Sequence, residues 1–519
     1  MAYQTVHKIN NELKDIAFVD ILLPYTEIFI KHLEKINISP ILINKLHKTL
    51  LKELSLCAEV TLQTELENFK NSGESSYCNF IIRTSNLIIT QYPVLNEILK
   101  RIVNNYLKFI KKIYSNFLKD QNSITSTFHL EKNKNIDIKD IETNLGDGHL
   151  GESTVLITLS DGTKLIYKPR NIETTKSYNL FIEWVNKRLN VDLKTIKCLS
   201  YKQYGWLEFI PYNAVASEEE LQEYYYKAGI LLAITLVLGT KDSHYENVIA
   251  SGKNPVIIDH ETIIQPILSN ESLNTWENKN KTPFFSVLES MLINHPESTI
   301  GSEFTGYGIK GNIEAMDLTS RIINANTINS KRVAHIFSKK LIKQNIPQYN
   351  NNHIFANDYQ ESFIEGFSVA YDLFINFRDE LLSPKSPIPS FQNQKIRYVW
   401  RPTFIYFRIL QYMRRADFMS DFEAYEKKLF ELMSKAYKKN NTKDFTFILD
   451  FEMKQLLNGD IPIFNLNSLE WHLGTNKSFK IFKYNCVENI KYRINLLSSY
   501  HKEQQIEHIS KWLDLKQSA

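Results

Sequence analysis

The chain has 519 residues, of which 62 are Lys or Arg and 58 are Asp or Glu, giving a formal net charge of +4 at pH 7. This near balance excludes a dedicated nucleic-acid coat protein, so no nucleic-acid partner is expected. The length suffices for two or three domains with a large core, and the 4 widely spaced cysteines form no metal knuckle and favour a reducing compartment.

Nothing in the sequence predicts secretion or membrane insertion. The amino terminus lacks the basic and then apolar pattern of a signal peptide. The longest apolar run extends from Ala228 to Gly239, and this is shorter than the about 20 residues that cross a bilayer. The run therefore predicts a core helix without a transmembrane segment, and a cytoplasmic location is expected.

Residues 1–135 are predicted to form a helical region, because apolar residues recur three and four positions apart from 16 to 118. A polar stretch at 119–135 is predicted to separate this region from the next. The helix that contains Ile98 and Ile102 also carries five basic residues, which form either a solvated face or a contact surface for an acidic peptide segment. These residues are Lys100, Arg101, Lys108, Lys111 and Lys112.

Residues 136–215 are predicted to be rich in β-structure. A strand at 154–159, a turn at Asp161-Gly162 and a return strand at 164–167 indicate a β-hairpin. A helix at 175–189 and a strand at 205–210 follow. This region is predicted to form the smaller, β-rich lobe of an α+β fold; a small β-rich lobe followed by a larger helical lobe is the bilobal layout of kinases.

Residues 216–519 are predicted to form a larger, mainly helical lobe, interrupted by a strand at 255–259. The segment 265–330 is rich in Asn and Ser and carries few clear periods. It is predicted to form a mobile insertion beside the active site.

The strongest chemical signal is the loop Asp242-Ser-His244-Tyr-Glu-Asn247, followed by Asp259 at the end of an apolar strand. Phosphoryl transfer from a magnesium nucleotide needs a carboxylate that orients the attacking hydroxyl, and oxygen ligands that hold the metal over the phosphates. Asp242 is the candidate for the first task, and Asn247 and Asp259 are candidates for the second. This order of residues resembles the catalytic and metal loops of lipid-kinase-like enzymes.

Other residues extend this set. Lys168 ends a hairpin strand, where its cation can reach nucleotide phosphates, and Glu183 on the next helix is a candidate partner that would fix its position. Glu261 lies two residues after Asp259, so an extended strand would place both carboxylates on one side. His244 either holds the loop by hydrogen bonds or transfers protons.

A glycine segment, Gly146-Asp147-Gly148-His149-Leu-Gly151, formally matches a dinucleotide-binding pattern, but a strand follows it where a helix should begin. The glycines are instead predicted to let the backbone turn tightly against phosphate oxygens. Asp147 and His149 would then face the same space.

The segment Arg397-Tyr-Val-Trp-Arg-Pro-Thr403 has no task in an ordinary kinase. A guanidinium fork suits a phosphate, and the Thr403 hydroxyl can add a hydrogen bond. The alternative is an Arg stacked on Tyr398 or Trp400 at the start of a helix.

Together these motifs, with Leu-Ile-Tyr-Lys168-Pro-Arg and Gly459-Asp460-Ile-Pro-Ile-Phe464, resemble the dehydratase portion of class II (LanM-type) lanthipeptide synthetases. The resemblance implies a lipid-kinase-like fold with added helices. It also implies phosphorylation of Ser and Thr in a leader-bearing precursor peptide, with ATP and Mg²⁺, and subsequent loss of phosphate to give dehydroalanine or dehydrobutyrine. It assigns phosphorylation to Lys168, Asp242, Asn247, Asp259 and Glu261, and elimination to Arg397 and Thr403, with Asp147, His149 and His244 nearby.

Synthetases of this class continue into a zinc-binding cyclase domain, whereas this chain offers no cluster of Cys and His for zinc. Dehydration without ring formation is therefore expected, with any ring closure left to a separate cyclase. Two other functions stay open: a plain kinase of a lipid, small-molecule or protein hydroxyl, and a non-catalytic module that holds a peptide in a degenerate kinase cleft.

Overall fold

The structure is a computed structural model. It describes residues 13–36, 38–130, 136–149, 151–269, 283–295, 304–308, 314–340, 343–438, 446–473 and 480–514. These residues combine helices with short strands, so the expected mixture of α and β structure is confirmed.

The chain divides into two compact units, and each unit gathers three separate stretches. The first unit consists of Met1–Tyr167, Met316–Phe337 and Pro402–Pro462. The second consists of Lys168–Ala315, Ser338–Arg401 and Ile463–Ala519. Because the chain passes between the units several times, these boundaries differ from the divisions near 135 and 215 expected from the sequence.

Helices dominate the first unit. They are α1 (Val19–Glu34), α2 (Pro40–Asn71), α3 (Tyr77–Thr90), α4 (Pro93–Phe128), α9 (Thr403–Met413), α10 (Ala416–Met419), α11 (Phe422–Lys438) and α12 (Thr446–Leu457). Proline at the first position favours the starts of α2 and α4, and the Ser39 hydroxyl caps α2 by accepting from Leu42 N. Helices α1 to α4 lie in the region that the sequence predicts to be helical, and α4 continues to Phe128, past the start of the separating segment predicted at 119.

An antiparallel meander completes the first unit. Its strands are β1 (Ile138–His149), β2 (Glu152–Leu159) and β3 (Lys164–Lys168), and Ile157 pairs with Leu165 across the predicted hairpin. Gly162 adopts φ +89° in the turn, which a side chain would resist. Two further strands, β9 (Glu314–Ile323) and β10 (Lys331–Lys340), pair with each other.

The second unit surrounds a buried helix, α6. Its helices are α5 (Glu173–Leu189), α6 (Glu218–Leu238), α7 (Gln360–Asn376), α8 (Arg378–Leu382), α13 (Cys486–Leu496) and α14 (Ser499–Leu513), with short 3-10 helices at Val287–Ser290, Ala356–Tyr359 and Ile388–Phe391. From Ala228 to Leu238 every residue of α6 is buried, which confirms the predicted core helix. No helix in the described part of the chain is long and apolar enough to cross a membrane.

The region after residue 216, expected to be mainly helical apart from a strand at 255–259, also contains several other short strands. In the second unit the strands are β6 (Val248–Ser251), β7 (Asn254–Ile257), β8 (Ile267–Leu268), β11 (Gln348–Tyr349), β12 (Asn352–His353), β13 (Lys395–Tyr398), β14 (Phe464–Asn467) and β15 (Phe482–Tyr484), while β4 (Cys198–Ser200) and β5 (Gly205–Glu208) precede α6. β13 pairs with β14 and β15 with β8. These partners lie far apart along the chain, so local periodicity does not reveal them.

The predicted insertion at 265–330 is only partly covered by the described residues. Residues 270–282, 296–303 and 309–313 lie outside them. The described part includes a 3-10 helix, Val287–Ser290, whose start is capped reciprocally by Ser286 and Glu289. The predicted mobility of the insertion stays a prediction.

Helices α6 and α7 approach each other so closely that glycine is required on both. A Cβ on Gly229 would lie 2.0 Å from the Phe363 carbonyl oxygen, and one on Gly366 would lie 1.9 Å from the Tyr226 carbonyl oxygen. The two backbones are therefore in direct contact. This contact fixes the helix that leads into the Asp242 loop.

We expect Gly366→Ala to destabilise the protein by about 2 kcal/mol, because the new methyl group must push the helices apart. Helix propensity alone predicts the opposite sign, a gain of about 1 kcal/mol. Urea unfolding followed by circular dichroism measures the difference, with the exposed neighbour Glu365 replaced by Ala as the matched control. A Gly366→Ala protein as stable as the wild type would contradict the close contact.

Candidate active site

The predicted loop of Asp, His and Asn follows directly from the buried helix α6. Gly239 ends this helix in the left-handed region, with φ +74°. The Thr240 hydroxyl donates to the Ile263 carbonyl at 2.7 Å, and the Thr262 hydroxyl donates to the Lys241 carbonyl at 2.7 Å. These two hydrogen bonds hold the loop against the segment that follows β7.

Asn247 connects the loop to the same segment. Its side-chain Nδ2 donates to the Asp242 carbonyl at 2.7 Å, and its own carbonyl accepts from Ile258 N at 3.0 Å. Since Ile258 directly precedes Asp259, Asn247 and Asp259 become neighbours. No described residue donates to Asn247 Oδ1, which leaves this oxygen available as a ligand.

Three cations and two carboxylates form a largely buried network beside the loop. Lys168 Nζ lies 2.8 Å from Asp259 Oδ1, Arg397 Nη1 lies 2.9 Å from Glu261 Oε1, and Arg170 pairs with Glu261. The backbone N of Glu261 also donates to Asp259 Oδ1 at 3.3 Å, which ties the Asp259 carboxylate to the main chain of the residue that pairs with both arginines. The sequence-predicted residues Lys168, Asp259, Glu261 and Arg397 therefore share one cluster within the second unit.

Arg397 is held in this cluster by its backbone as well as its side chain. It lies on β13, its N donates to the Glu261 carbonyl at 2.8 Å, and its carbonyl accepts from Gln265 Nε2 at 2.8 Å. Only 9% of its side chain is exposed. The guanidinium thus faces the carboxylates, and the alternative position at the start of a helix is wrong.

The cations keep both carboxylates ionised. Burial opposes ionisation of Asp259, but Lys168 and Arg170 outweigh it and hold the pKa of this carboxyl well below its usual value. For Glu261 burial is again the largest single effect, and Arg170 and Arg397 nevertheless lower its pKa. Both groups are therefore negatively charged at neutral pH.

Asp242 has a different environment from these two carboxylates. No described residue donates a hydrogen bond to its side chain, and His244 Nε2 lies 3.9 Å from Asp242 Oδ1. Burial raises the pKa of Asp242, and the charges of Asp259 and Glu261 add to this rise. Its backbone is in the left-handed region, with φ 66°, a conformation that costs about 1–3 kcal/mol and is often found at functional sites.

The two histidines near the cluster have different tasks. His244 lies in the loop, where its Nδ1 accepts from Glu246 N at 3.3 Å and its Nε2 is 3.3 Å from Asn247 Nδ2. His260 is buried against Tyr178, with ring centroids 4.5 Å apart, and its Nδ1 shares a hydrogen bond with the Thr175 hydroxyl. His244 can therefore meet a substrate, whereas His260 supports the fold.

The residues present fit a magnesium ion that also binds nucleotide phosphates. Among the described residues no group of three or more His, Cys, Asp or Glu side chains could hold a metal by itself. Asp259 and Asn247 Oδ1 offer two oxygen ligands, and Mg²⁺ is usually bound by one or two protein ligands together with phosphate oxygens and water. The donor set therefore suits a metal that arrives with its nucleotide.

The predicted pairing of Lys168 with Glu183 is wrong. Glu183 is exposed on α5, because the buried side of this helix is formed by Tyr178, Phe181, Ile182 and Val185. Lys168 donates to Asp259 instead. No part in nucleotide binding is therefore supported for Glu183.

The remaining predicted residues belong to the first unit. Gly146, Gly148 and Gly151 lie at the tip of the β1–β2 hairpin, and Thr403 is the first residue of α9. Asp147 and His149 belong to β1, but their side chains lie outside the described part of the chain. Their assigned roles stay predictions.

Sequence reasoning missed Arg170 and Gln265. Arg170 follows Lys168 by two residues, so an extended segment directs both side chains the same way, and this spacing was a usable signal. Gln265 binds the backbone of Arg397, which is 132 positions away. No local pattern indicates such a contact.

Comparison with known proteins adds two findings. A family model described as a domain of unknown function (DUF4135) matches residues 92–467. The lacticin 481/lactococcin biosynthesis protein LcnDR2 of Lactococcus lactis subsp. lactis is 28% identical over 351 residues, which cover 64% of this chain and 36% of that protein. The chain thus spans little more than a third of the length of this relative.

We expect acid to destabilise the folded chain through His260. Burial lowers the pKa of this histidine in the folded chain to about 3. As the pH falls below about 6.5, the imidazole therefore takes up a proton in the unfolded chain but not in the folded one, which favours unfolding. Between pH 7.5 and 5.5 this should remove about 1.4 kcal/mol from the free energy of unfolding.

Urea unfolding at the two pH values tests this expectation. His260→Asn should lose the pH dependence that His260 contributes, while His129→Asn, a change at an exposed histidine, should retain it. An unchanged pH dependence in His260→Asn would contradict the assignment.

Proposed function

Because this chain belongs to the DUF4135 family and is related to the LanM-type lanthipeptide synthetases, we propose that it dehydrates Ser and Thr residues of a ribosomally made precursor peptide. In this proposal the protein first uses ATP and Mg²⁺ to phosphorylate the side chain and then eliminates the phosphate. A lipid-kinase-like arrangement of the chain is part of the proposal. The supporting observation is the network in which Glu261 joins Arg397 to the Lys168–Asp259 pair.

The first step transfers a phosphoryl group to the peptide. When bound, magnesium ATP supplies this group and neutralises charge as it moves. Asp242, whose raised pKa suits a base, orients the Ser or Thr hydroxyl and accepts its proton while the new P–O bond forms and the bond to ADP breaks. Asp259 and Asn247 would hold the metal, and Lys168 would contact the phosphates.

The second step removes the phosphate. A base takes the α-proton, its electron pair forms the Cα–Cβ double bond, and the Cβ–O bond breaks as phosphate leaves. His244 is our candidate for the base, and Arg397 and Thr403 would stabilise the charge on the leaving phosphate. Donors already in place can contribute several kcal/mol to such a step, and Glu261 holds the Arg397 guanidinium ready.

One observation favours a second candidate function. Arg397 already has an anionic partner in Glu261, and this pair by itself would stabilise the fold without any part in chemistry. A phosphotransferase acting on a lipid, small-molecule or protein hydroxyl would use Lys168, Asp242 and Asp259 in the same way. The two candidates differ in what happens to the phosphorylated product.

We expect Arg397→Ala and Thr403→Ala to accumulate phosphorylated peptide, since removing one donor to a developing anion typically slows a reaction about 100-fold. Asp259→Ala should give neither phosphate nor dehydration, because both the metal ligand and the partner of Lys168 are lost. Mass spectrometry of the precursor peptide after incubation with ATP and Mg²⁺ distinguishes these products.

The matched control is Arg378→Ala, which removes a guanidinium that binds the Leu497 carbonyl in the same unit. It should dehydrate the peptide as the wild type does, once corrected for the folded fraction. Full dehydration by Arg397→Ala would exclude the elimination role, and stable phosphopeptide from the wild type would favour the plain kinase.

As the pH is lowered, we expect the phosphorylation rate to begin to fall at a pH above the usual pKa range of an Asp side chain. The reason is that burial raises the pKa of Asp242, and only its ionised form accepts a proton. The Arg397→Ala protein isolates this step, so its initial rate of phosphopeptide formation gives the pH profile. Introducing Asp242→Asn into the Arg397→Ala protein should lower the rate and remove its fall at low pH. If the pH profile stays unchanged, another group is responsible for that fall.

A further inference from the structure

Arg170 lies in the cluster of the second unit, yet the proposed reaction gives it no task. It follows the end of β3 by two residues, and Pro169 restricts the backbone that joins it to Lys168. Its Nη1 donates to Glu261 Oε2, while Arg397 Nη1 donates to the other oxygen, Glu261 Oε1, at 2.9 Å. Two guanidinium groups therefore hold the two oxygens of one carboxylate.

This arrangement leaves the Glu261 carboxylate little freedom to rotate. Only 12% of the side chain is exposed, and each oxygen already accepts from a different arginine. The backbone of Glu261 is fixed as well, because its N donates to Asp259 Oδ1 and its carbonyl accepts from Arg397 N. The orientation of the Arg397 guanidinium is thus determined by a carboxylate that Arg170 holds from the opposite side.

The loss of Arg170 would change this orientation. Both oxygens of Glu261 would then be available to Arg397, and a guanidinium prefers to meet a carboxylate through two parallel hydrogen bonds. Arg397 would turn further toward Glu261 and away from a phosphate. With Arg170 present, one oxygen is already occupied and this bidentate pair cannot form.

Stability alone does not explain why arginine stands at this position. Arg397 already supplies Glu261 with a cationic partner. The Nε of Arg170 is buried, and no residue in the described part of the chain accepts a hydrogen bond from it. A buried donor without an acceptor costs free energy, so a residue that only neutralised Glu261 would be placed differently.

We propose that Arg170 is a positioning residue for the elimination step: it holds the Glu261 carboxylate so that Glu261 presents the Arg397 guanidinium to the leaving phosphate. Arg170 itself acts through Glu261 and contacts neither the peptide nor the phosphate. The inference rests on the proposed function, because it deepens the role of Arg397 in the second step.

The test compares two rates measured on the same protein. One is the initial rate at which ATP and Mg²⁺ phosphorylate the synthetic precursor peptide, and the other is the release of inorganic phosphate from that peptide carrying phosphoserine. Arg170→Gln should lower the ratio of elimination to phosphorylation at least about tenfold, since losing a side chain that orients a catalytic group typically costs about 10- to 100-fold. The ratio does not depend on the folded fraction, so a merely structural role would not move it.

Arg188→Gln is the matched control. The Arg188 side chain is 20% exposed, compared with 21% for Arg170, it pairs with Glu380, and its Nε likewise is buried and has no acceptor among the described residues. This substitution should leave the ratio unchanged. Arg170→Lys keeps the charge without the planar fork and should give an intermediate ratio, so it carries the test if Arg170→Gln does not fold.

A double substitution tests whether Arg170 acts through Glu261. In the Glu261→Gln protein, adding Arg170→Gln should slow elimination little further, because residues that act through one another are not additive. Independent, additive effects would overturn the proposal, and so would a wild-type ratio in the Arg170 variants that fold.

Failure of this inference is distinct from failure of the proposed function. If the wild-type chain releases no phosphate from the phosphoserine peptide, the proposed function fails and the role of Arg170 falls with it. If the wild type releases phosphate and the Arg170 variants keep its ratio of rates, only the role of Arg170 is excluded.

Discussion

The candidate site depends on one electrostatic constraint: the carboxylates of Asp259 and Glu261 are mostly withdrawn from water and must stay charged. Removing a carboxylate from water is costly unless cations and hydrogen bonds replace the lost solvation. Lys168, Arg170 and Arg397 provide that replacement, which is why basic residues from two distant parts of the chain, the end of β3 and β13, converge here. Substitution of any one of them leaves a buried charge without its partner, so structure and chemistry are coupled at this position.

The apolar scaffold makes this convergence possible. The buried helix α6 is fixed by its glycine contacts with α7, and the two threonines after it align the Asp242 loop with the segment after β7. The result is a set of carboxylates with contrasting properties. Asp259 is held ionised by its cations, whereas Asp242 has no strong partner and a raised pKa. The roles of metal ligand and base that we propose for these two residues require this difference.

Parts of this arrangement could be predicted from the sequence. The run from Ala228 to Leu238 is apolar on all sides and long enough only for a core helix, and the hairpin that ends at Lys168 has a clear turn. The position of Arg397 could not be derived from local pattern, because its strand pairs with Phe464–Asn467 and its side chain binds a residue 136 positions away. The error at Glu183 was avoidable, since Phe181, Ile182 and Val185 mark the buried side of α5 and Glu183 lies on the other side.

The central claim is that a network suited to phosphorylation also removes phosphate. The most direct measurement supplies a synthetic precursor peptide that already carries phosphoserine, together with Mg²⁺ and ADP, and follows inorganic phosphate and peptide mass. We predict release of phosphate and formation of dehydroalanine without ATP. A phosphopeptide that stays intact, in a preparation that phosphorylates the unmodified peptide when given ATP, would contradict the account.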